Sequence, residues 1–282
     1  MTGREWQTAR GVVSLARPVI LGILNITPDS FSDGGQFLDP VAALRQAESL
    51  IADGADILDL GAESTRPGRP EPVSAEEEWQ RLGPVLRDLA SRFPQIPLSV
   101  DTVKSETAKR AVEHGAAIIN DVSGLRLDPA IGDVAAKSGA GLILMHSRGS
   151  VSEMATYDHA KYEDVVGEVV SELQASVKAA RQRGVKDEQI VLDPGLGFAK
   201  RPEQNFSVLS RIDTIRAAGY PVLVGPSRKR FLATGSNAPA DRDVATAAAC
   251  VAAYFLGAGL FRVHNVRMVR EALTVAQAIR KG

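Results

Sequence analysis

The sequence predicts an α/β fold in a single domain, a (β/α)8 barrel of the TIM-barrel class. Eight short runs rich in Val, Ile and Leu recur along the chain without polar alternation, so each reads as a parallel strand buried on both faces. The stretches between them are long enough for a helix and carry helical periodicity. Each run ends on a polar residue, and a barrel of this kind keeps its active site at the C-terminal ends of its strands. The length of 282 residues is close to that of one such barrel. The barrel is assigned to residues 16–282, and residues 1–15 are read as an N-terminal extension.

The first run, VILGILN, ends at Asn25. A long connection, ITPDSFSDGGQFLD (26–39), follows it. Residues 40–53 then place Ala43, Leu44, Ala47, Leu50 and Ile51 on one helical face, until Gly54 stops the helix. ADILDLG is the second strand, with Asp56 read as structural. Its connection, AESTRPGRPEPV (62–73), is again rich in Gly, Pro and Ser. Both connections leave a strand's C-terminal end, where such loops sit over the barrel mouth. Residues 74–90 open with SAEE, so Ser74 and Glu77 form a capping box.

PLSVD ends at Asp101, and a short helix over 104–113 closes at His114-Gly115. AIIND ends at Asn120-Asp121. LILMH ends at His146 and is followed by a third loop, 147–158. A long amphipathic helix covers 162–183 and stops at Gly184. IVLDPG ends at Asp193, and a helix over 208–218 stops at Gly219. VLVGPSRK reaches Lys229. An Ala-rich helix over 244–257 contains Cys250, read as a small packed hydrophobe. LFRVH ends at His264, and a helix over 268–279 closes the pattern.

Composition narrows the function classes. With 33 basic and 34 acidic residues the net charge is −1, which argues against a nucleic-acid partner and makes any cationic site local. A single cysteine excludes an intrachain disulfide framework and fits a reducing compartment. The longest apolar stretch, 245–256, is too short to span a bilayer. The first residues lack the apolar core of a signal peptide. The expectation is a cytoplasmic enzyme without a membrane partner.

The chemistry lies at the strand ends. Asp101, Asn120 and Asp193 end the third, fourth and sixth runs. A carboxylate accepts hydrogen bonds from an N–H/NH2 edge, and Asn offers a donor and an acceptor, so the three suit a planar nitrogen heterocycle. The competing reading is that such residues cap the helices that follow, which TVKSE after Asp101 would allow. Asp121 reads as structural. Lys229 sits in SRKR after the seventh run, and Arg262 and His264, two apart, face the same way. The loops after the seventh and eighth strands are the usual phosphate site of such barrels, so this group points to an anion. Ion pairing with a neighbouring helix is the alternative for Arg262 and Arg228, and Arg230 reads as a solvated charge. His146 stands without a second His or Cys at metal-ligand spacing and reads as a hydrogen-bonded structural residue. His114 and His159 read as helix-end and loop residues. GLGF at Gly195 is not a dinucleotide fingerprint, because it opens no βαβ unit with the third glycine.

At these residues the chain resembles a known family, the dihydropteroate synthases. The segments that carry the resemblance are ILGILNITPDSFSDGG, DLGAESTRPG, SVDTVKSETAKRAVEHGAAIINDVSG, LILMH, IVLDPGLGFAK, GPSRKRF and FRVHNV, in order from the first strand to the eighth. The resemblance implies that Asp101, Asn120, Asp193 and Lys229 hold a pterin. Arg262 would stack on it and reach the diphosphate. Asn25 and His264 match the metal and diphosphate site, with Asn25 at a magnesium ion. Thr65 and Arg66 would close over the diphosphate. Phe31, Pro67, Phe198 and Ser227 match the pocket for p-aminobenzoate. Asp101, Lys229 and Arg262 are the implied catalytic groups. The family's reaction joins 6-hydroxymethyl-7,8-dihydropterin diphosphate to p-aminobenzoate and releases diphosphate, and its members are commonly homodimers.

Three positions depart from the family's pattern: Ala62 where a second glycine is common, Ser147-Arg148-Gly149 after LMH, and Asn265 after RVH. Two other readings stay open. A pterin-binding barrel that passes a methyl group to a corrinoid shares the pterin pocket, but ESTRPG and SRK argue against it. A non-catalytic pterin-binding relative would have no reason to keep every phosphate-site match. A Schiff-base aldolase ranks last, because Lys229 lies beyond its strand among other basic residues.

Overall fold

The computed structural model describes residues 5–26, 40–63, 73–233 and 238–282. Eight parallel strands follow one another around a nearly closed barrel: β3 (Val19–Asn25), β4 (Ile57–Gly61), β5 (Leu98–Asp101), β6 (Ile118–Asp121), β7 (Gly141–Met145), β8 (Ile190–Asp193), β9 (Leu223–Val224) and β10 (Leu260–Val263). β10 pairs with both β3 and β9. The join between β8 and β9 is one parallel bridge, Leu192 to Val222, with a 2.9 Å bond from Leu192 N to Pro221 O. The seventh run is therefore a strand of only two residues. Gly225 and Pro226 end it, since proline has no N–H for the ladder.

Nine helices among the described residues pack outside the strands: α1 (Pro40–Ala52), α2 (Ala75–Arg92), α3 (Ser105–Glu113), α4 (Ala130–Ser138), α5 (Val165–Gln182), α6 (Pro202–Leu209), α7 (Ile212–Arg216), α8 (Asp243–Phe255) and α9 (Val266–Lys281). On α1 the expected Ala43, Leu44, Ala47 and Leu50 are buried, and Gly54 takes φ +98°. Ser74 caps α2, accepting from Glu77 N at 3.1 Å, while the Glu77 carboxylate turns to Arg81. Only the serine half of the expected box carries the cap.

Two helical expectations change. α4 was not anticipated between Asp121 and Gly141, because its nine residues are mostly small. The helix expected over 208–218 is two short ones: the first starts at Pro202, a favoured first helical position, and the chain breaks at Ser210-Arg211. The α3 N-terminus also draws on a different group, since Asp128 Oδ2, not Asp101, accepts from Ser105 N at 2.7 Å.

The core has two layers. The larger fills the space between strands and helices. The smaller lies inside the barrel, where Leu21, Ile57, Ile118, Ile143, Val191, Leu223 and Leu260 meet Trp6. Within the N-terminal extension, β1 (Glu5–Thr8) and β2 (Gly11–Ser14) form a hairpin beneath the strands' N-terminal ends. Trp6 is fully buried and donates from Nε1 to Gln189 O at 2.7 Å, so it plugs the end opposite the mouth.

Candidate active site

The inner layer explains the site. Side chains alternate across a strand, so the residue two places beyond an inward apolar residue also points inward, one layer nearer the mouth. Ile57 is followed by Asp59, Ile118 by Asn120, Val191 by Asp193, and Leu260 by Arg262 and then His264. Each of these four strands thus crosses from an oily floor to a polar mouth within one period.

Arg262 organises this mouth. Its Nε donates to Asp59 Oδ2 at 2.6 Å and its Nη2 to Asp101 Oδ2 at 2.8 Å. Of the alternatives from sequence, it is an ion pair, but with carboxylates on β4 and β5 rather than with a helix. Asp59 is fully buried and also accepts from Ser99 Oγ at 2.5 Å and Asn120 Nδ2 at 3.3 Å. Asp59 is the residue that sequence reasoning missed. Its signal is a carboxylate within ILDLG, a run otherwise apolar. Asp56 is structural: it holds Arg17, Arg270 and Ile20 N.

The charges here are mutually dependent. Burial raises Asp101 well above the carboxylate range, Arg262 pulls it back, and Asp59 adds to the rise. Burial raises Asp193 to about 6, against one hydrogen bond from Gly195 N at 2.7 Å and the attraction of Lys229 and Arg262. Lys229 is pushed down to about 8, first by burial and then by Arg262, with Asp193 and Asp101 opposing. Burial also works against Arg262, but Asp59 and Asp101 outweigh it and keep the guanidinium cationic.

Lys229 Nζ lies 3.8 Å from the centre of the Phe198 ring, a cation–π contact. Phe198 belongs to a small apolar cluster with Val103, Val122, Met145, Met154 and Ala155, which brings the 147–158 loop onto the GLGF turn. Gly197 has φ +80°, and a Cβ there would meet Lys229 Cδ at 2.8 Å, so glycine lets the lysine lie across the turn. Ser227 Oγ bonds His264 Nδ1 at 2.9 Å and accepts from His264 N at 3.1 Å. Asn25 ends β3 beside β10 and is half-buried.

The structure thus gathers Asp101, Asn120, Asp193, Lys229, Phe198 and Arg262, with Ser227 paired to His264. Phe31, Thr65, Arg66 and Pro67 lie outside the described residues. Glu63, the last described residue before Thr65, accepts from Val73 N at 3.0 Å and from Lys104 Nζ at 2.6 Å. Arg228 pairs with Asp243 on α8 at 2.7 Å, and Arg230 is exposed.

The residues in doubt find local roles. Asp121 accepts from Ser123 N at 2.8 Å and Leu125 N at 2.6 Å. Asn265 caps α9 through Met268 N and donates to Asp243. Ser147 donates to Val122 O, and Arg148 pairs with Glu168 and Glu172 over the Tyr162 ring. Ala62 is a buried core residue. The arrangement can bind a planar heterocycle on acceptors at Asp101, Asn120 and Asp193 and present cationic groups beside it.

Comparison with known proteins shows what the chain as a whole is similar to. The family described as pterin binding enzyme matches residues 21–264. A dihydropteroate synthase of Synechocystis is 43% identical over 265 residues, covering 93% of this chain and 90% of its own. A folate synthesis bifunctional protein of Pisum sativum is 42% identical, and the chain spans 56% of its length. A Xanthomonas albilineans dihydropteroate synthase with 4-aminobenzoic acid superposes with a TM-score of 0.92 at 40% identity, over 100% of both chains. The same organism's enzyme in complex with 7,8-dihydropteroate gives 0.86 at 38% identity, over 96% of this chain and 97% of that one. With the family matched across the barrel and its mouth, the chain belongs to the pterin-binding enzymes.

Proposed function

We propose that this protein is a dihydropteroate synthase, a transferase of folate biosynthesis. It joins 6-hydroxymethyl-7,8-dihydropterin diphosphate to p-aminobenzoate and releases 7,8-dihydropteroate and diphosphate. The observation that carries this is the convergence of Asp101, Asn120, Asp193, Lys229 and Arg262 at one mouth, in a chain of this family. Asp193 and Asn120 would hold the pterin's polar edge, with Lys229 beside them and Arg262 against the ring.

The leaving group departs from a methylene whose positive charge the pterin shares. Asp101, kept close by Arg262, would stabilise that charge electrostatically. Arg262, His264 and Arg66 would counter the growing charge on the diphosphate. The aromatic amine of p-aminobenzoate is a nucleophile at neutral pH and needs neither a strong base nor a covalent enzyme intermediate. Phe198, Ser227, Pro67 and Phe31 would form its pocket.

Magnesium fits the donor set in one way. Among the described residues no group of three His, Cys, Asp or Glu side chains gathers for a metal. Asn25 offers one neutral oxygen, which suits a hard ion held mainly by phosphate oxygens and water. When bound, the ion would neutralise diphosphate charge.

We further read the enzyme as cytoplasmic, which the single, buried Cys250 fits, and as a homodimer. Among the described residues no helix is long and apolar enough to cross a membrane. The test is release of diphosphate from the dihydropterin diphosphate, dependent on p-aminobenzoate and abolished by EDTA. Release without p-aminobenzoate, or none at all, would overturn the reading. Indifference to EDTA would remove magnesium from it.

A further inference from the structure

Lys200 follows the GLGF turn and is 1% exposed. Its Nζ contacts Gly195 O at 3.1 Å, Phe198 O at 3.1 Å and His146 Nδ1 at 2.9 Å. An ammonium has three donors, and here each meets an acceptor. With Nδ1 accepting, the His146 proton sits on Nε2, which faces Glu172 Oε2 at 3.0 Å. Burial and then the Lys200 charge lower His146 to about 4, so the ring stays neutral and can accept. Burial also lowers Lys200 itself, to about 7, against the pull of Asp193 and Glu172. The donors are spent on the turn and on His146, which leaves no amine directed at a substrate carbonyl.

The two carbonyls that Lys200 holds bracket the functional part of the turn. Gly195 also supplies the N–H that orients Asp193, and Phe198 carries the ring under Lys229. Gly195 itself admits no side chain, since a Cβ would fall 1.9 Å from His146 O. The far side is tied by Asn205, which accepts from Gly197 N at 2.6 Å and donates to Lys200 O at 3.0 Å.

We propose that Lys200 is a positioning residue for the reaction: through Gly195 and Phe198 it fixes the Asp193 carboxylate and the ring that walls the p-aminobenzoate pocket. The assignment of that pocket rests on the function proposed above. Replacing the ammonium with an apolar end leaves buried acceptors unpaired, and the turn relaxes while the barrel stays.

The experiment compares wild type with Lys200→Met, and with His146→Gln as the milder variant. In folded Lys200→Met, KM for p-aminobenzoate is expected to rise about tenfold while kcat changes less. Amide exchange over residues 195–199 is expected to accelerate with the barrel strands still protected. Wild-type KM, or wild-type exchange in that turn, overturns the proposal. If Lys200→Met does not fold, His146→Gln carries the test, with a smaller rise in the same KM expected and an unchanged KM overturning the proposal. Diphosphate release by the wild type separates the two readings. A wild type without it refutes the enzyme assignment, and the exchange of residues 195–199 then decides the clamp alone.

Discussion

Asp193 and Lys229 are tuned toward each other across neutral pH. Asp193, raised to about 6, is charged above that value, and Lys229, lowered to about 8, is charged below it. Both are ionised only between. The expected kcat/KM profile is therefore a bell with limbs near 6 and 8, and Asp101, raised as well, shares the acid limb. Asp193→Asn should make that limb less steep and weaken a pterin analogue by about 1–3 kcal/mol in calorimetry. A flat profile with wild-type binding would contradict this. Arg262 gives a second prediction. Arg262→Ala strands the buried Asp59 and should destabilise the fold by about 3–5 kcal/mol, read in urea melts, besides lowering turnover more than p-aminobenzoate affinity. Adding Asp59→Asn should restore stability but not turnover. Restored turnover in the double variant would remove Arg262 from the chemistry.

At the scale of elements, the turn over 194–199 depends on glycine for contact rather than for softness. Gly197→Ala puts a Cβ 2.8 Å from Lys229 Cδ at φ +80°. The lysine must leave the Phe198 ring or the turn must shift. Turnover at a fixed, low p-aminobenzoate concentration should fall about tenfold, with a smaller change in melting temperature. Wild-type kinetics would show that the Lys229–Phe198 contact is incidental. The β-strands need no such device. Their inward positions follow from period two, so polar residues at Asp59, Asn120, Asp193 and Arg262 reach the mouth as soon as the apolar floor is packed.

Trp6 closes one end of the barrel, and the polar mouth lies at the other. Trp6→Ala removes a fully buried indole from beneath the barrel and should cost about 3–5 kcal/mol in denaturant melts, leaving both KM values unchanged. A shift in either KM would couple the two ends. Helices α8 and α9 pack together and leave Val244, Phe255, Val275 and Ile279 exposed. The proposed dimer would cover this face, and Ile279→Lys with Val275→Lys should shift sedimentation toward the monomer. An unchanged sedimentation coefficient would place the dimer contact elsewhere or remove it.

Most of this protein is legible in its sequence because the period of a strand is short and strict. Apolar runs ending in Asn25, Asp101, Asn120, Asp193 and His264 foretold both the barrel and its mouth, and the TPDSFSDGG, ESTRPG and SRK segments pointed to the family. What the sequence left open needed partners from other strands. Asp59 looks like any acidic residue until Arg262, far along the chain, is seen to close on it. Trp6 reads as part of an N-terminal extension until the barrel supplies a floor for it. Lys200 gives no local sign of burial, since only folding brings His146 and two carbonyls to its ammonium. Periodicity is a property of one segment and survives in the string, whereas pairing between buried charges is a property of two and exists only when the chain has closed on itself.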